Sequence, residues 1–114
     1  MGHWHDLSTE IHAQAKSLKE HIPDAWAGFI SMHRGAMADG ALNQATKELI
    51  ALAISVADEC DGCISAHARG AARHGATEQE AAEAIGVALL MGGGPATIWG
   101  PRAFTAFKEF ASGD

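Results

Sequence analysis

Cys60, Cys63 and His67 are the residues of this 114-residue chain whose types and spacing best suit chemistry. Separations of three and four fall on one stripe of a helix, so a helix that includes the pair presents both sulfurs and the imidazole on one side. A thiol attacks only as thiolate, and the free N–H groups and macrodipole at a helix N-terminus stabilise that anion. A neighbouring histidine takes the proton directly or through one water. The second cysteine then resolves a sulfenic acid or mixed disulfide by closing an intramolecular bond. Spacing and field disagree on which sulfur attacks. Cys63 is four residues from His67, the better separation for proton transfer, whereas Cys60 lies nearer the helix start, where the field favours a thiolate.

Other uses of the pair are limited by spacing. A c-type haem site needs histidine directly after the second cysteine, where this chain has Ile64. A thioredoxin-like motif needs flanking strands, and none are expected here. Zinc could take Cys60, Cys63 and His67 with Glu48, His33 or His74 as a fourth ligand, but no second C-x-x-C or H-x-x-x-H completes a structural cage. Two inert cysteines in a helical core are the plainest alternative. No metal or cofactor is expected, and no glycine fingerprint for a nucleotide follows a strand, so electrons would come from an external dithiol or thiol protein.

Glu48 is an acid at the edge of the apolar run Leu49-Ile50-Ala51-Leu52-Ala53. It reads either as an ordinary acid near a helix N-terminus or as a partner for His67. The second reading needs a chain reversal at residues 58–62, which leaves Glu48 one or two helical turns from the imidazole. A carboxylate there would orient the ring and strengthen it as a base.

The elements that must position these residues all read as helices, because no segment alternates apolar and polar residues over a useful length. Asp6 or Ser8 caps a first helix through about Glu20, with Leu7, Ile11, Ala15 and Leu18 as its apolar stripe. A second starts at Pro23, carries Trp26, Phe29, Ile30, Met32 and Met37, and stops at Gly40. Asn43 caps a third, apolar around much of its circumference, which should be central. A new helix begins within the cysteine pair and runs to Gly75, and the Thr77-to-Glu80 capping box opens another through Met91. Pro95 and Pro101 bracket a short turn of helix before a last one whose face is Phe104, Phe107 and Phe110. His3, His5 and His12 read as solvated positions near a flexible start, and His21 and His74 as helix-end cations. His33 reads as a surface histidine or as one reaching the site from a neighbouring subunit.

One domain spanning residues 1–114 is expected from the length. Apolar residues make up 47% and charged residues 19%, too apolar for a disordered chain. The net charge of −6, with scattered basic residues, excludes a nucleic-acid role. Glycines 92 to 94 split the one long uncharged run, so no membrane span is expected, and no secretory signal is visible, which points to the cytoplasm. An alanine-rich chain poor in large core residues suggests that a neighbouring subunit covers part of its apolar surface.

Glu48, eleven intervening residues, then Cys60-x-x-Cys63-x-x-x-His67 resembles the active-site pattern of the alkylhydroperoxidase AhpD-like proteins of the carboxymuconolactone decarboxylase superfamily. The likeness extends from about Glu48 to Ala82 and includes Cys63-Ile64-Ser65-Ala66-His67, Ala71, His74, Gly75 and Ala76-Thr77. It implies an all-α bundle around a core antiparallel helical hairpin, assembled as a trimer or hexamer with the site near an interface. It also implies that Cys63 attacks peroxide, Cys60 resolves the sulfenic acid, and His67 with Glu48 relays protons. One departure is Gly62, where the best-known members carry a further histidine. The decarboxylase branch, which acts as a lyase on carboxylated lactones, lacks the cysteine pair. The alternatives are such a lyase, or a helical oligomer whose pair senses redox state or binds metal without turnover.

Overall fold

The computed structural model describes residues 2–114, and among them the regular elements are all helices. In order, the elements are α1 (His3–His21), α2 (Pro23–Met37), α3 (Gln44–Ala57), α4 (Asp61–Arg73), α5 (Glu78–Gly92) and α6 (Ala96–Ser112). Helices α3, α4, α5 and α6 pack as the central body, α1 lies across α4 and α6, and α2 packs more loosely, chiefly against α1 and α3.

Local chemistry sets the boundaries. Asn43 caps α3 through its side chain on the Thr46 N–H, and Thr77 with Glu80 forms the complete capping box of α5. The end of α3 is a Schellman motif, in which the Cys60 N–H bonds Ser55 O and the Glu59 N–H bonds Val56 O. Its left-handed residue is Glu59, at φ 53°, not a glycine. A non-glycine residue there costs about 1–2 kcal/mol, and it reverses the chain sharply between α3 and α4. Gly75, at φ 86°, closes α4 with the same motif.

The core is built from few large side chains and many small ones. Leu52, Val56, Ile64 and Phe107 are almost wholly buried, alongside Ala68, Ala71, Ala81, Ala103 and Ala106. Each of the large residues contributes about 1.5–3 kcal/mol on burial, while the alanines let the helices approach closely. The expected core role of the phenylalanine face holds for Phe107 and Phe110, with Phe104 packed partly against it.

Several boundaries and packing expectations change. Pro101 lies inside α6, which runs unbroken from Ala96. It sits in the second turn and so removes only one ladder bond. A Cβ on the neighbouring Gly100 would meet Leu89 at 2.7 Å, so the first turns of α6 are held tightly against α5. Helix α1 begins at His3, before Asp6 and Ser8, because the distant Glu109 carboxylate accepts from the Trp4 and His5 N–H groups at 3.2 and 2.7 Å. His5 is therefore buried, not solvated, and its ring pairs with Glu109 at 2.5 Å. No residue of the apolar stripe of α2 is fully buried: Trp26 and Met37 are partly covered, while Phe29 and Met32 are 57% and 64% exposed.

Candidate functional site

Helix α4 starts at the cysteine pair. Cys60 is its N-cap, and the Cys60 sulfur accepts from the Cys63 N–H at 3.2 Å. The two sulfurs form a disulfide, with the Cα atoms 5.2 Å apart, and both residues are partly buried. Both sulfurs thus lie at the positive end of the α4 dipole, where a thiolate released on reduction is stabilised. Glu59, the left-handed residue of the reversal, immediately precedes the pair.

His67 follows Cys63 by one turn on the same stripe. Its Nδ1 donates to Glu48 Oε1 at 2.7 Å, and the side chains are 21% and 8% exposed respectively. A buried carboxylate requires a partner, and the ring supplies one. With Nδ1–H committed to the carboxylate, the imidazole presents Nε2 as its acceptor. The sequence put Glu48 a turn or two away from this ring. The structure brings the two into direct contact because the tight reversal runs α3 and α4 antiparallel and the Glu48 side chain spans the remaining distance. Glu48 is not in the first turn of α3, so the plain helix-dipole reading of this acid does not hold.

The four residues singled out by spacing therefore stand in one structural unit: Cys60 and Cys63 bonded to each other, and His67 bonded to Glu48. Of three further neighbours, sequence reasoning did not foresee Ile11 and Gly70, and it expected His33 to lie on the surface or to come from another subunit. His33, on α2 of the same chain, lies over the His67 ring with centroids 6.2 Å apart and planes within 17°. It reaches the site without help from another subunit. Ile11 of α1 covers Gly62, and a Cβ at residue 62 would meet Ile11 Cδ1 at 2.9 Å. A side chain at residue 62 would therefore have to displace Ile11 from the start of α4. Gly70, buried three residues beyond His67, lies beneath the Glu48 carboxylate. His74 bonds Gly70 O at the end of α4, the helix-end position expected for it. Among the described residues, no group of three His, Cys, Asp or Glu side chains is arranged to hold a metal ion.

The site is thus a helical hairpin whose second helix opens on a bonded cysteine pair, with a partly buried imidazole and its buried carboxylate partner one turn further on. The chain belongs to the carboxymuconolactone decarboxylase family, whose model matches residues 23–109. It is similar to the crystal structure of an apo carboxymuconolactone decarboxylase family protein from Legionella pneumophila. The TM-score is 0.91 at 38% identity, covering 95% of this chain and 96% of that one. It is also 38% identical over 99 residues to an uncharacterised protein of Cupriavidus necator, covering 87% of this chain and 88% of that protein. A protein of Paracoccus denitrificans described as uncharacterised protein 4 in the cox locus is 40% identical over 81 residues, or 71% of this chain and 73% of its own.

Proposed function

We propose that this protein is a thiol-dependent peroxidase or disulfide reductase that cycles Cys60 and Cys63 between dithiol and disulfide. The observation behind the reading is the bonded cysteine pair at the N-terminus of α4, one turn from an imidazole held by a buried carboxylate. In the reduced protein, His67 takes the Cys63 proton, and the thiolate attacks a hydroperoxide oxygen. The O–O bond breaks, Cys63 becomes a sulfenic acid, and the alcohol leaves after receiving a proton. The Cys60 thiol then displaces water from the sulfenic acid and forms the disulfide. An external dithiol reduces that bond and is itself oxidised, which closes the cycle. Cys63 is assigned the attack because it stands one turn from His67, and Glu48 keeps the ring in the tautomer that accepts at Nε2.

The protein is proposed to act as a homo-oligomer, a trimer or hexamer, in the cytoplasm, where thiol reductants are abundant. The exposed apolar surface of α2, α3 and α5 supports assembly. Phe29, Met32, Ile54, Val87 and Leu90 lie open, and an apolar groove of about 410 Å³ runs between α3 and α5 past Ile50 and Val87. Among the described residues, no helix is long and apolar enough to cross a membrane.

The test is thiol titration of the reduced protein before and after one equivalent of hydroperoxide, followed by turnover with a dithiol reductant. Wild type should lose both thiols together and turn over. Cys63→Ser should lose activity, Cys60→Ser should stop at the sulfenic acid, and Glu48→Gln should slow peroxide reduction by about 10–100-fold. Equal peroxide consumption in wild type and both cysteine variants would overturn the proposal.

A further inference from the structure

Gly70 stands in the middle of α4, where glycine is a poor helix former and needs a reason to be present. The packing supplies one. A Cβ on Gly70 would lie 1.9 Å from Glu48 Oε2, 2.4 Å from its Cδ and 2.8 Å from Oε1. All three atoms of the carboxylate therefore rest against the bare backbone of α4. The helical glycines Gly28, Gly35 and Gly86 are different, since a Cβ on any of them would meet nothing within 4 Å. Gly70 is also placed to serve this purpose. It is eleven residues after Glu59, and Glu48 is eleven before it, so the antiparallel hairpin sets them level. From that seat Oε1 reaches His67 Nδ1.

We propose that Gly70 is a positioning residue, which holds the proton relay by leaving open the slot in which the Glu48 carboxylate lies. It touches neither sulfur and acts through Glu48, whose bond to Nδ1–H leaves the Nε2 lone pair of His67 free. An overlap of this size exceeds what a shift of a few tenths of an ångström relieves. Any side chain at residue 70 expels the carboxylate from its seat, and a buried carboxylate without its partner is strongly disfavoured. The placement stands on packing alone, while its effect on turnover rests on the thiol-peroxidase reading above.

The test is a reversal of sign. Gly70→Ala in the otherwise wild-type chain should lower Tm by at least about 4 °C. In a Glu48→Ala background the same substitution should raise Tm, because the overlap is gone and alanine is the better helix former. Gly86→Ala serves as the control and should not lower Tm. In parallel, ¹⁵N NMR of His67 at mildly alkaline pH should show the Nδ1–H tautomer in wild type and its loss in Gly70→Ala. Peroxide reduction by Gly70→Ala should fall to the level of Glu48→Gln, about 10-fold or more below wild type, and combining the two should cause no further loss. A Tm decrease of similar size in both backgrounds, or an unchanged tautomer in Gly70→Ala, would overturn the proposal. Should Gly70→Ala fail to fold, a folded Gly70→Ala/Glu48→Ala protein supports it and an unfolded one overturns it. A wild type without peroxide activity would refute the functional reading, while the stability and tautomer measurements would still decide the role of Gly70.

Discussion

Reduction of the Cys60–Cys63 bond distinguishes a working redox pair from a structural staple, because the two uses differ in how much the fold depends on the bond. The cysteines are separated by only 3 positions, so the bond closes a very short loop. In the chain-entropy account, closing a loop of this length is worth about 2 kcal/mol. A chain of 114 residues is expected to hold roughly 6–17 kcal/mol in total, at about 0.05–0.15 kcal/mol per residue. The reduced protein should therefore remain folded, with Tm lowered by no more than about 10 °C. The start of α4 should survive as well, since the Cys60 sulfur is its N-cap and is still present after reduction. Cys60→Ser puts a good capping oxygen in the same place, so its Tm should lie within about 5 °C of reduced wild type. Thermal melts followed by far-ultraviolet circular dichroism, on oxidised, dithiol-reduced and Cys60→Ser protein, measure all three. Loss of the helical signal on reduction, or a Tm decrease beyond about 20 °C, would mean that the bond holds the fold together. A pair with that duty could not be opened in every catalytic cycle, and the redox assignment would fail.

Two further expectations concern the supports of the site. Glu109→Ala removes the acceptor for two backbone N–H groups of α1 and leaves the buried His5 ring without its carboxylate, a loss of about 2–4 kcal/mol measurable by denaturant unfolding. Burial pushes the Glu109 carboxyl upward, but hydrogen bonds from the His5 N–H, the His5 ring and the Trp4 N–H outweigh it and hold the group below its ordinary 4.5. A carboxylate depressed on folding stabilises the protein above its unfolded value. Wild type should therefore lose stability as pH falls from about 4.5 through the folded value, and Glu109→Gln should lose less over that range. The proposed oligomer would rest on the open apolar surface, so Ile54→Glu, at a position 56% exposed in the single chain, should yield a folded monomer. An unchanged mass by sedimentation equilibrium would remove α3 from the interface.

The chemistry of this chain was legible because it is written along one helix. Cys63 and His67 need only the period of α4 to share a side, Cys60 joins them as its N-cap, and Asn43, Thr77 and Gly75 mark helix ends by their own local bonds. Contacts between distant segments left no such trace. Glu109 caps a helix that begins more than one hundred residues earlier, and nothing around His5 announces its burial. The reversal between α3 and α4 falls at the expected residues 58–62, but its left-handed residue is Glu59, in a position that ordinarily favours glycine. The apolar stripe of α2 was visible, but periodicity identifies a face that wants covering without saying what covers it.

The Glu48–His67 pair lies between these cases, and it shows where sequence reasoning could have gone further. Glu48 alone is ambiguous, as an acid beside an apolar run suits a helix terminus as well as a catalytic pair. Its ambiguity ends once the reversal is centred on Glu59, because equal counts outward along antiparallel helices reach Glu48 and Gly70 together. A glycine in mid-helix, level with an acid on the facing helix, is a local defect in α4 that makes sense only if something approaches its backbone closely. The spacing of acid, reversal and glycine therefore carries more information than the acid and histidine taken alone. It explains why a carboxylate can lie between two tightly packed helices, and why a residue with no chemistry of its own can set the geometry of those that have it.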